Sequence, residues 1–171
     1  MKINLGSRDR RMDGFKNLDC DPHPGVDIVG DASKLDMFNN GSVKEIFASH
    51  ILEHFPHVDT LKVLKEWNRV LEPGGILYVA VPDFKRTVDI YLKSDHLYDW
   101  FVNYLCGDQT YKTAFHYAIF DYKRIARLLK EAGFTDVSQV EKFSISLPHD
   151  CSNNVSNYDG KSVSLNVVAI K

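Results

Sequence analysis

The run of residues 76–81, ILYVAV, contains no charged side chain and is apolar almost throughout. Such a run is typical of an interior strand of a parallel sheet, which is buried on both faces. Before it, Leu61, Leu64, Trp67, Val70 and Leu71 recur at helical spacing. Strands that alternate with crossover segments in this way predict a parallel sheet.

The same reasoning divides the rest of the chain into short elements. Asp59 is the predicted N-cap of the first helix, and the Pro-Gly-Gly sequence at 73–75 is predicted to end it. Asp121 is the predicted N-cap of a later helix, and Gly133 suits a left-handed residue after its last turn. Strands are predicted at 2–5, 15–19, 26–29, 43–49, 76–81, 137–143 and 162–170, a helical stripe at 97–105 before Gly107, and a loop at 148–160.

Composition restricts the function classes. The 171 residues suffice for one domain, and we expect residues 1–171 to form it without a linker. A formal net charge of −2 gives no electrostatic footprint for nucleic acid or an anionic membrane. An odd number of cysteines predicts reduced thiols in a cytoplasmic protein, and neither a signal peptide nor a membrane-inserted segment is visible.

Six motifs occur in register along the chain. They are NLGS at 4–7, NLD at 17–19, GDA at 30–32, ASHILEH at 48–54, RVLEPGG at 69–75 and LLKEAGF at 128–134. Together they resemble the class I S-adenosylmethionine-dependent methyltransferases, specifically the type-11 methyltransferase domain. The resemblance implies an α/β, Rossmann-like fold whose seven-stranded, mostly parallel sheet has the order 3-2-1-4-5-7-6, with strand 7 antiparallel and helices on both faces. It also implies S-adenosylmethionine as cofactor and S-adenosylhomocysteine as product.

The resemblance assigns cofactor contacts to residues at strand ends. Asp19, with Cys20 beside it, takes the position of the ribose-binding acid, and Asp21 is the alternative. An Asp before a proline-rich turn can also be a plain turn residue. Asp31 and Ala32 take the position that faces adenine, although Asp31 could equally cap a short helix.

The loop after the first strand departs from the family pattern. Gly6 and Ser7 open the expected cofactor loop, but Arg8 stands where a Gly-x-Gly loop has its second glycine. Too few residues follow for the usual full helix. We predict that Arg8 reaches the methionyl carboxylate, in place of part of a helix N-terminus. An exposed arginine in a reshaped loop is an equally good interpretation.

Histidines are the candidates for proton transfer. Ser49 and His50 follow the fourth strand, where the transferred methyl group should point, and His54 lies one helical turn later. His116 lies in an aromatic segment before the helix capped by Asp121. Any of the three histidines could act as a general base. Alternatively, the segment with Ser49 and His50 lines the cofactor pocket without proton transfer. A His-x-x-x-His pair can bind zinc, but without an acidic partner at the right spacing we predict no metal site.

Two functions remain open. The first is methyl transfer to a small-molecule or glycan-type acceptor, with oxygen the preferred acceptor atom and nitrogen next. The second is a non-catalytic binding or scaffold subunit that has kept the fold, which the substitution at Arg8 favours. A nicotinamide-dependent oxidoreductase ranks last because the glycine fingerprint for a pyrophosphate is missing. We expect acceptor recognition in variable loops at 85–120, and a monomer or a homodimer.

Overall fold

A computed structural model describes residues 1–146 and 160–171. Over these residues the chain forms seven strands, four α-helices and one 3₁₀ turn. The strands are β1 (Lys2–Leu5), β2 (Lys16–Asp19), β3 (Ile28–Val29), β4 (Val43–Ser49), β5 (Leu71–Pro82), β6 (Asp136–Val140) and β7 (Ser164–Ile170). The helices are α1 (Thr60–Val70), α2 (Phe84–Ser94), α3 (Asp99–Cys106) and α4 (Tyr122–Glu131), and the 3₁₀ turn is Leu52–His54.

The seven strands form one sheet in the order β3-β2-β1-β4-β5-β7-β6. The first five pair in parallel, and β7 pairs antiparallel to both β5 and β6. This topology confirms the predicted fold class and strand order. Chain order reverses between β1 and β4, where Leu5 lies beside Ala48. The carboxyl ends of these two strands therefore flank the switch point at which open α/β sheets bind ligands.

The turn from α1 into β5 differs from the prediction. The helix ends at Val70, and the backbone is already extended at Leu71, which pairs with Val43. The Pro-Gly-Gly sequence therefore lies inside β5, where the register with β4 shifts. Asp59 holds the N-cap position as predicted, but it has helical backbone angles and its side chain accepts no capping hydrogen bond.

Two helices lie in the region where acceptor-recognition loops were expected, and α3 corresponds to the helical stripe predicted there. Helix α2 follows Asp83, whose side chain accepts a hydrogen bond from the backbone N–H of Arg86. Helix α3 ends at Gly107 as predicted but begins at Asp99. Phe101 is fully buried with Ile90 and Val163, whereas the predicted core residues Trp100 and Tyr104 are only half-buried.

Helix α4 follows the prediction closely. The Asp121 side chain accepts from the N–H of Arg124, and Gly133 has a φ of 101°. The other elements differ from prediction mainly at their ends. Strand β3 has two residues where four were predicted, β6 ends at Val140, and most of the predicted 148–160 loop lies outside the described residues.

The main hydrophobic core lies between one face of the sheet and helices α1 and α4, with Trp67 as its largest side chain. A second hydrophobic cluster contains Phe47 of β4 and Tyr78 of β5, packed with Phe15 and Phe143. In the part of the chain that the structure describes, no helix has both the length and the apolar character needed to cross a bilayer.

Candidate active site

The loop after β1 has an unusual backbone. Gly6 has a φ of 66°, and a Cβ atom there would lie 2.8 Å from Cδ1 of Ile51. Arg8 has a φ of 46°, a left-handed conformation that favours glycine. Arg8 thus replaces a glycine of the family pattern but keeps the backbone conformation that glycine favours. As predicted, residues 6–15, all of them described, form turns and no helix.

The Arg8 side chain points across the site to the segment that follows α3. Its Nη1 donates a 2.7 Å hydrogen bond to the Tyr111 hydroxyl, and the guanidinium carbon lies 4.5 Å from the centre of the Tyr111 ring. Stacking and the hydrogen bond together fix the cation in one place. Arg8 therefore joins the loop after β1 to the segment before α4.

A buried asparagine, which sequence reasoning passed over, holds this loop in the absence of a helix. Asn17 in β2 is fully buried, and its side-chain oxygen accepts from the N–H of Met12 and from Nδ2 of Asn4. Its amide nitrogen donates to the Phe15 carbonyl and to the Asp27 carboxylate. The Asn17 contacts with Asp27 lower the pKa of that carboxyl. Asn17, the first residue of the NLD motif, thus has a structural role.

Asp19 lies at the end of β2, next to the loop. Its Oδ2 accepts a 2.7 Å hydrogen bond from the backbone N–H of Arg8, and its Oδ1 accepts from the N–H of Asp21. Each carboxylate oxygen has two lone-pair positions, so the side chain keeps acceptor capacity for a ligand. Partial burial, followed by the charges of Asp19 and Asp21, raises the pKa of the adjacent Cys20 thiol to about 11. Cys20 is therefore a neutral thiol at pH 7.

Asp31 and Ala32 follow β3. The Asp31 carboxylate accepts from both the N–H and the hydroxyl of Ser33 within a turn, and no helix follows it that it could cap. Ala32 is buried, and its carbonyl accepts a 2.8 Å hydrogen bond from the Trp67 indole. Helix α1 thereby fixes the backbone of the predicted adenine segment. Leu35, a few residues later, lies fully buried in the main core.

The His50 side chain belongs to a polar chain at the end of β4. Its backbone is left-handed, with a φ of 51°. The ring Nδ1 lies 3.1 Å from Oε1 of Glu53, and Nε2 lies 2.9 Å from the Ser164 hydroxyl. The Ser164 hydroxyl is also 3.1 Å from the Tyr104 hydroxyl. Both ring nitrogens of His50 therefore face polar partners, and the ring has a defined orientation.

Glu53 is the functional residue that sequence reasoning missed. It is 0% exposed, and three of the chain's histidines lie around it. Burial acts to raise the pKa of Glu53, but contact with His50 and the charges of His50, His54 and His116 outweigh burial and lower it. Glu53 is therefore an anion inside the protein. The sequence shows an acid one residue before His54. It does not show that this acid is buried, because the burial depends on distant segments.

The structure brings two of the predicted histidines together. The rings of His54 and His116 lie edge to face with their centres 4.7 Å apart. Burial lowers the pKa of His116, although the charge of Glu53 acts to raise it. A lowered pKa keeps the His116 ring neutral at pH 7.

Two buried serine hydroxyls indicate whether the strand ends can accommodate a polar cofactor. Among the described residues, Ser7 Oγ after β1 and Ser49 Oγ at the end of β4 are buried without a hydrogen-bond partner. Buried polar atoms normally have partners, so both atoms call for one. They lie on neighbouring strands at the switch point. A ligand with hydroxyl and amino groups fits this end of the sheet.

Comparisons with known proteins agree with this geometry. Residues 13–79 match the type-11 family model described as "Methyltransferase domain". None of the curated proteins matches the chain.

Solved structures share the fold over nearly the whole chain. An S-adenosylmethionine-dependent methyltransferase from Methanosarcina mazei has a TM-score of 0.61 and 18% identity, covering 99% of this chain and 91% of that one. The 1,6-didemethyltoxoflavin N1-methyltransferase of Burkholderia thailandensis, solved with its substrate and S-adenosylhomocysteine, has a TM-score of 0.59 and 15% identity, with coverage of 99% and 70%. A Haloferax volcanii putative methyltransferase, solved with the Trm112 activator, has a TM-score of 0.58 and 16% identity, with coverage of 98% and 80%.

The family match lies on the segment that carries Asp19, Asp31 and His50, and the strand order is the one that the motifs predicted. The chain therefore has the fold of the class I S-adenosylmethionine-dependent methyltransferases, and its residues 13–79 match their type-11 domain.

Proposed function

We propose that this chain is an active methyltransferase that acts on a small-molecule or glycan-type acceptor, with oxygen as the preferred acceptor atom. The observation that carries the proposal is the arrangement at the switch point. Two neighbouring strands, β1 and β4, are followed by left-handed residues, Arg8 and His50, and the buried Asp19 carboxylate ends the next strand. Strained backbone of this kind is concentrated at functional sites.

The cofactor is proposed to lie across the ends of β1, β2 and β3. When bound, S-adenosylmethionine supplies a methyl group already activated on a sulfonium, so the protein mainly provides proximity and alignment. Asp19 would accept hydrogen bonds from the ribose hydroxyls, with Cys20 beside it, and Asp31 and Ala32 would contact adenine. Gly6 would let the cofactor approach the backbone, and the buried hydroxyls of Ser7 and Ser49 would gain partners.

Arg8 is proposed to bind the methionyl carboxylate. Its guanidinium is held by Tyr111 and keeps further N–H donors for a bidentate contact. Arg8→Ala should weaken S-adenosylmethionine binding about tenfold, the effect of losing one charge-assisted pair. Tyr111→Phe is the matched control because it keeps the ring under the cation and removes only the hydroxyl. Unchanged affinity in Arg8→Ala would leave Arg8 as a surface arginine in a reshaped loop.

His50 is proposed to accept the proton of the acceptor hydroxyl. An oxygen acceptor must lose a proton during methylation, and an oriented imidazole next to a carboxylate is suited to take it. Glu53 and Ser164 orient the ring in the structure. His50→Gln should therefore keep cofactor affinity and lower turnover about 10²-fold or more. His54 and His116, the other two predicted bases, each contact a backbone carbonyl through Nδ1.

Calorimetry with S-adenosylhomocysteine tests the cofactor site directly. Asp19→Asn should lose at least about tenfold in affinity, while Asp21→Asn, an exposed acid two residues away, should bind as wild type does. Equal losses in both variants would move the ribose contact away from Asp19. Release of S-adenosylhomocysteine with a panel of sugars, nucleotide sugars, phenols and amines then tests the acceptor class. Turnover with amines alone would contradict the preference for oxygen.

A non-catalytic subunit is the second candidate function. The specific observation in its favour is Arg8, whose left-handed backbone costs free energy and whose side chain already has a partner in Tyr111. The Haloferax volcanii neighbour was solved with a methyltransferase activator, so a dependence on a partner is a reasonable second hypothesis. Absence of S-adenosylhomocysteine binding, together with a stable complex recovered from cells, would favour this candidate.

The remaining expectations belong to the same proposal. One domain over residues 1–171, a cytoplasmic location, and a monomer or homodimer are each consistent with one continuous sheet and with free cysteines at Cys20 and Cys106. Light scattering after gel filtration measures the oligomeric state, and fluorescence microscopy of a tagged chain checks the compartment.

A further inference from the structure

Three side chains, which we name the histidine–glutamate cluster, meet beside the proposed active site: Glu53, His54 and His116. One potential ligand atom from each lies within 4.8 Å of those of the other two. Glu53 is fully buried, and within the described residues neither of its carboxylate oxygens has a hydrogen-bond partner. His50 Nδ1 is 3.1 Å from Oε1, close enough for an ion pair but without hydrogen-bond alignment. A buried carboxylate in this state calls for a positive partner.

Both imidazoles of the cluster use Nδ1 in a contact with a backbone carbonyl. His54 Nδ1 lies 3.0 Å from the Phe115 carbonyl, and His116 Nδ1 lies 3.0 Å from the Tyr104 carbonyl. A carbonyl can only accept, so each Nδ1 carries the hydrogen. In a neutral ring this leaves Nε2 with a free lone pair. Metal-binding histidines characteristically donate their other ring N–H to a carbonyl or carboxylate in this way.

Backbone hydrogen bonds hold the cluster together. The Glu53 carbonyl accepts from the N–H groups of both Tyr117 and Ala118, at 2.8 and 3.2 Å. The N–H of His116 donates to the Cys106 carbonyl at 2.9 Å. The 3₁₀ turn and the segment before α4 are thus fixed to each other on both sides of the three side chains. Such preorganisation is what a metal site requires of its scaffold.

We propose that Glu53, His54 and His116 bind a divalent transition-metal ion, with zinc as the first choice. Two imidazoles and one carboxylate are a known zinc ligand set that leaves one position for water or substrate oxygen. Ligand atoms around tetrahedral zinc lie about 3.4 Å apart, so the side chains close by about 1 Å on binding. The sequence predicted no metal site because no acid was recognised as a partner, and Glu53 supplies it.

A second group, Asp19, Cys20 and Asp21, also gathers three potential ligands in the described residues. Two of its members are exposed, and Asp19 is already bonded to backbone N–H groups. It serves as the internal comparison for the experiment. Cys20→Ser removes its only sulfur ligand and leaves the histidine–glutamate cluster intact.

The experiment is cobalt and zinc titration of the full chain after treatment with a chelator. We expect one equivalent of Co²⁺ to give the visible absorption of a four-coordinate site, Zn²⁺ to displace it, and Mg²⁺ to have no effect, because imidazole ligands select transition metals. His54→Ala and His116→Ala should each weaken metal binding by about 100-fold or more, since loss of even an outer-shell partner costs 10–100-fold. His57→Ala, an exposed histidine on the same segment, and Cys20→Ser should bind as wild type does.

Circular dichroism of each variant separates loss of metal from loss of fold, and Glu53→Gln gives a near-isosteric third ligand variant. Metal lost in the cluster variants and kept in the two controls supports the site. Binding that follows Cys20 instead, or an absence of stoichiometric binding, overturns it and leaves a protonated histidine as the partner of Glu53. The titration needs no S-adenosylmethionine, so its outcome is independent of the proposed methyl transfer.

Discussion

The two sides of the proposed active site are fixed by different kinds of contact. The cofactor-side loops, at 6–15, 20–27 and 30–42, are tied to the sheet and to α1 by hydrogen bonds from backbone groups to buried or half-buried side chains. In the acceptor-side segment, at 83–120, helices α2 and α3 instead rest on a small cluster around Phe101, and hydrogen bonds to the Glu53 carbonyl are confined to the end of the segment. Its surface exposes many large apolar side chains: Tyr91, Leu92, Leu97, Val102, Tyr111, Tyr117 and Ile119.

This difference corresponds to the two requirements of the proposed methyltransferase. A cofactor common to a whole family demands a fixed backbone, and buried polar partners provide it because leaving them unsatisfied is costly. An acceptor differs from enzyme to enzyme, and side chains on helices with few buried contacts can change without loss of the fold. The comparison predicts that matched substitutions have unequal effects on the two sides.

The largest effect is expected for Asn17→Ala. The substitution removes the amide oxygen and the amide nitrogen of Asn17 from a buried hydrogen-bond network. It leaves the Met12 N–H and the Phe15 carbonyl without these partners. We expect a loss of about 3 kcal/mol in the free energy of unfolding, measured by urea denaturation. Asn103→Ala, an exposed site on α3, should stay within about 0.5 kcal/mol of wild type. Equal losses at both sites would refute the distinction between the two sides.

A smaller effect is expected at Gly6. Gly6→Ala combines a left-handed alanine with a contact to Ile51 Cδ1, for a loss of about 2 kcal/mol. Gly14→Ala, also left-handed but with nothing within 4 Å of the added methyl group, should lose about 1 kcal/mol. Ile51→Val removes the clashing methyl group and should recover part of the loss in a double variant. An absence of recovery would show that backbone strain alone sets the cost at Gly6.

How much of the fold could be predicted also differs between the two sides. Strand β4 and helix α4 were predicted closely because their signals are local: a short apolar run in one, and Asp121 and Gly133 at the two ends of the other. Helix α2 was not predicted, since only Thr87 and Ile90 of its residues are buried and its apolar periodicity is weak. The capping aspartate after Pro82 was the available signal.

The candidate site shows the same limit. Motifs at strand ends predict Asp19, Asp31 and His50, because a strand end fixes where a residue lies. The contact between His54 and His116 depends on how the segment after α3 folds back on the 3₁₀ turn, and no local pattern encodes that pairing. The burial of Glu53 follows from the same distant contact.

The smallest expected effect is a difference in how pH changes the stability of the two sides. On the cofactor side, Arg69 donates two hydrogen bonds to the half-buried Glu66 carboxylate, which also accepts from the N–H of Leu35. These bonds, Arg69 first, lower the pKa of Glu66 below its ordinary 4.5. A lowered carboxyl pKa stabilises the fold above that ordinary value, and the contribution is lost as pH falls through the pKa of the folded state. Glu66→Gln should therefore cost about 1 kcal/mol at pH 7, a value limited by partial solvent exposure.

The cost should shrink as pH falls below the ordinary 4.5 of a glutamate and through the lowered pKa at which the wild-type carboxyl takes up its proton. On the acceptor side, the exposed Lys85–Asp89 pair on α2 has an equally short contact of 2.7 Å. Asp89→Asn should nevertheless leave the unfolding curve unchanged at both pH values, because water screens exposed pairs. If both variants showed the same pH dependence, ion-pair distance and not attachment to the backbone would determine stability, and the two sides of the site would not differ in the way proposed.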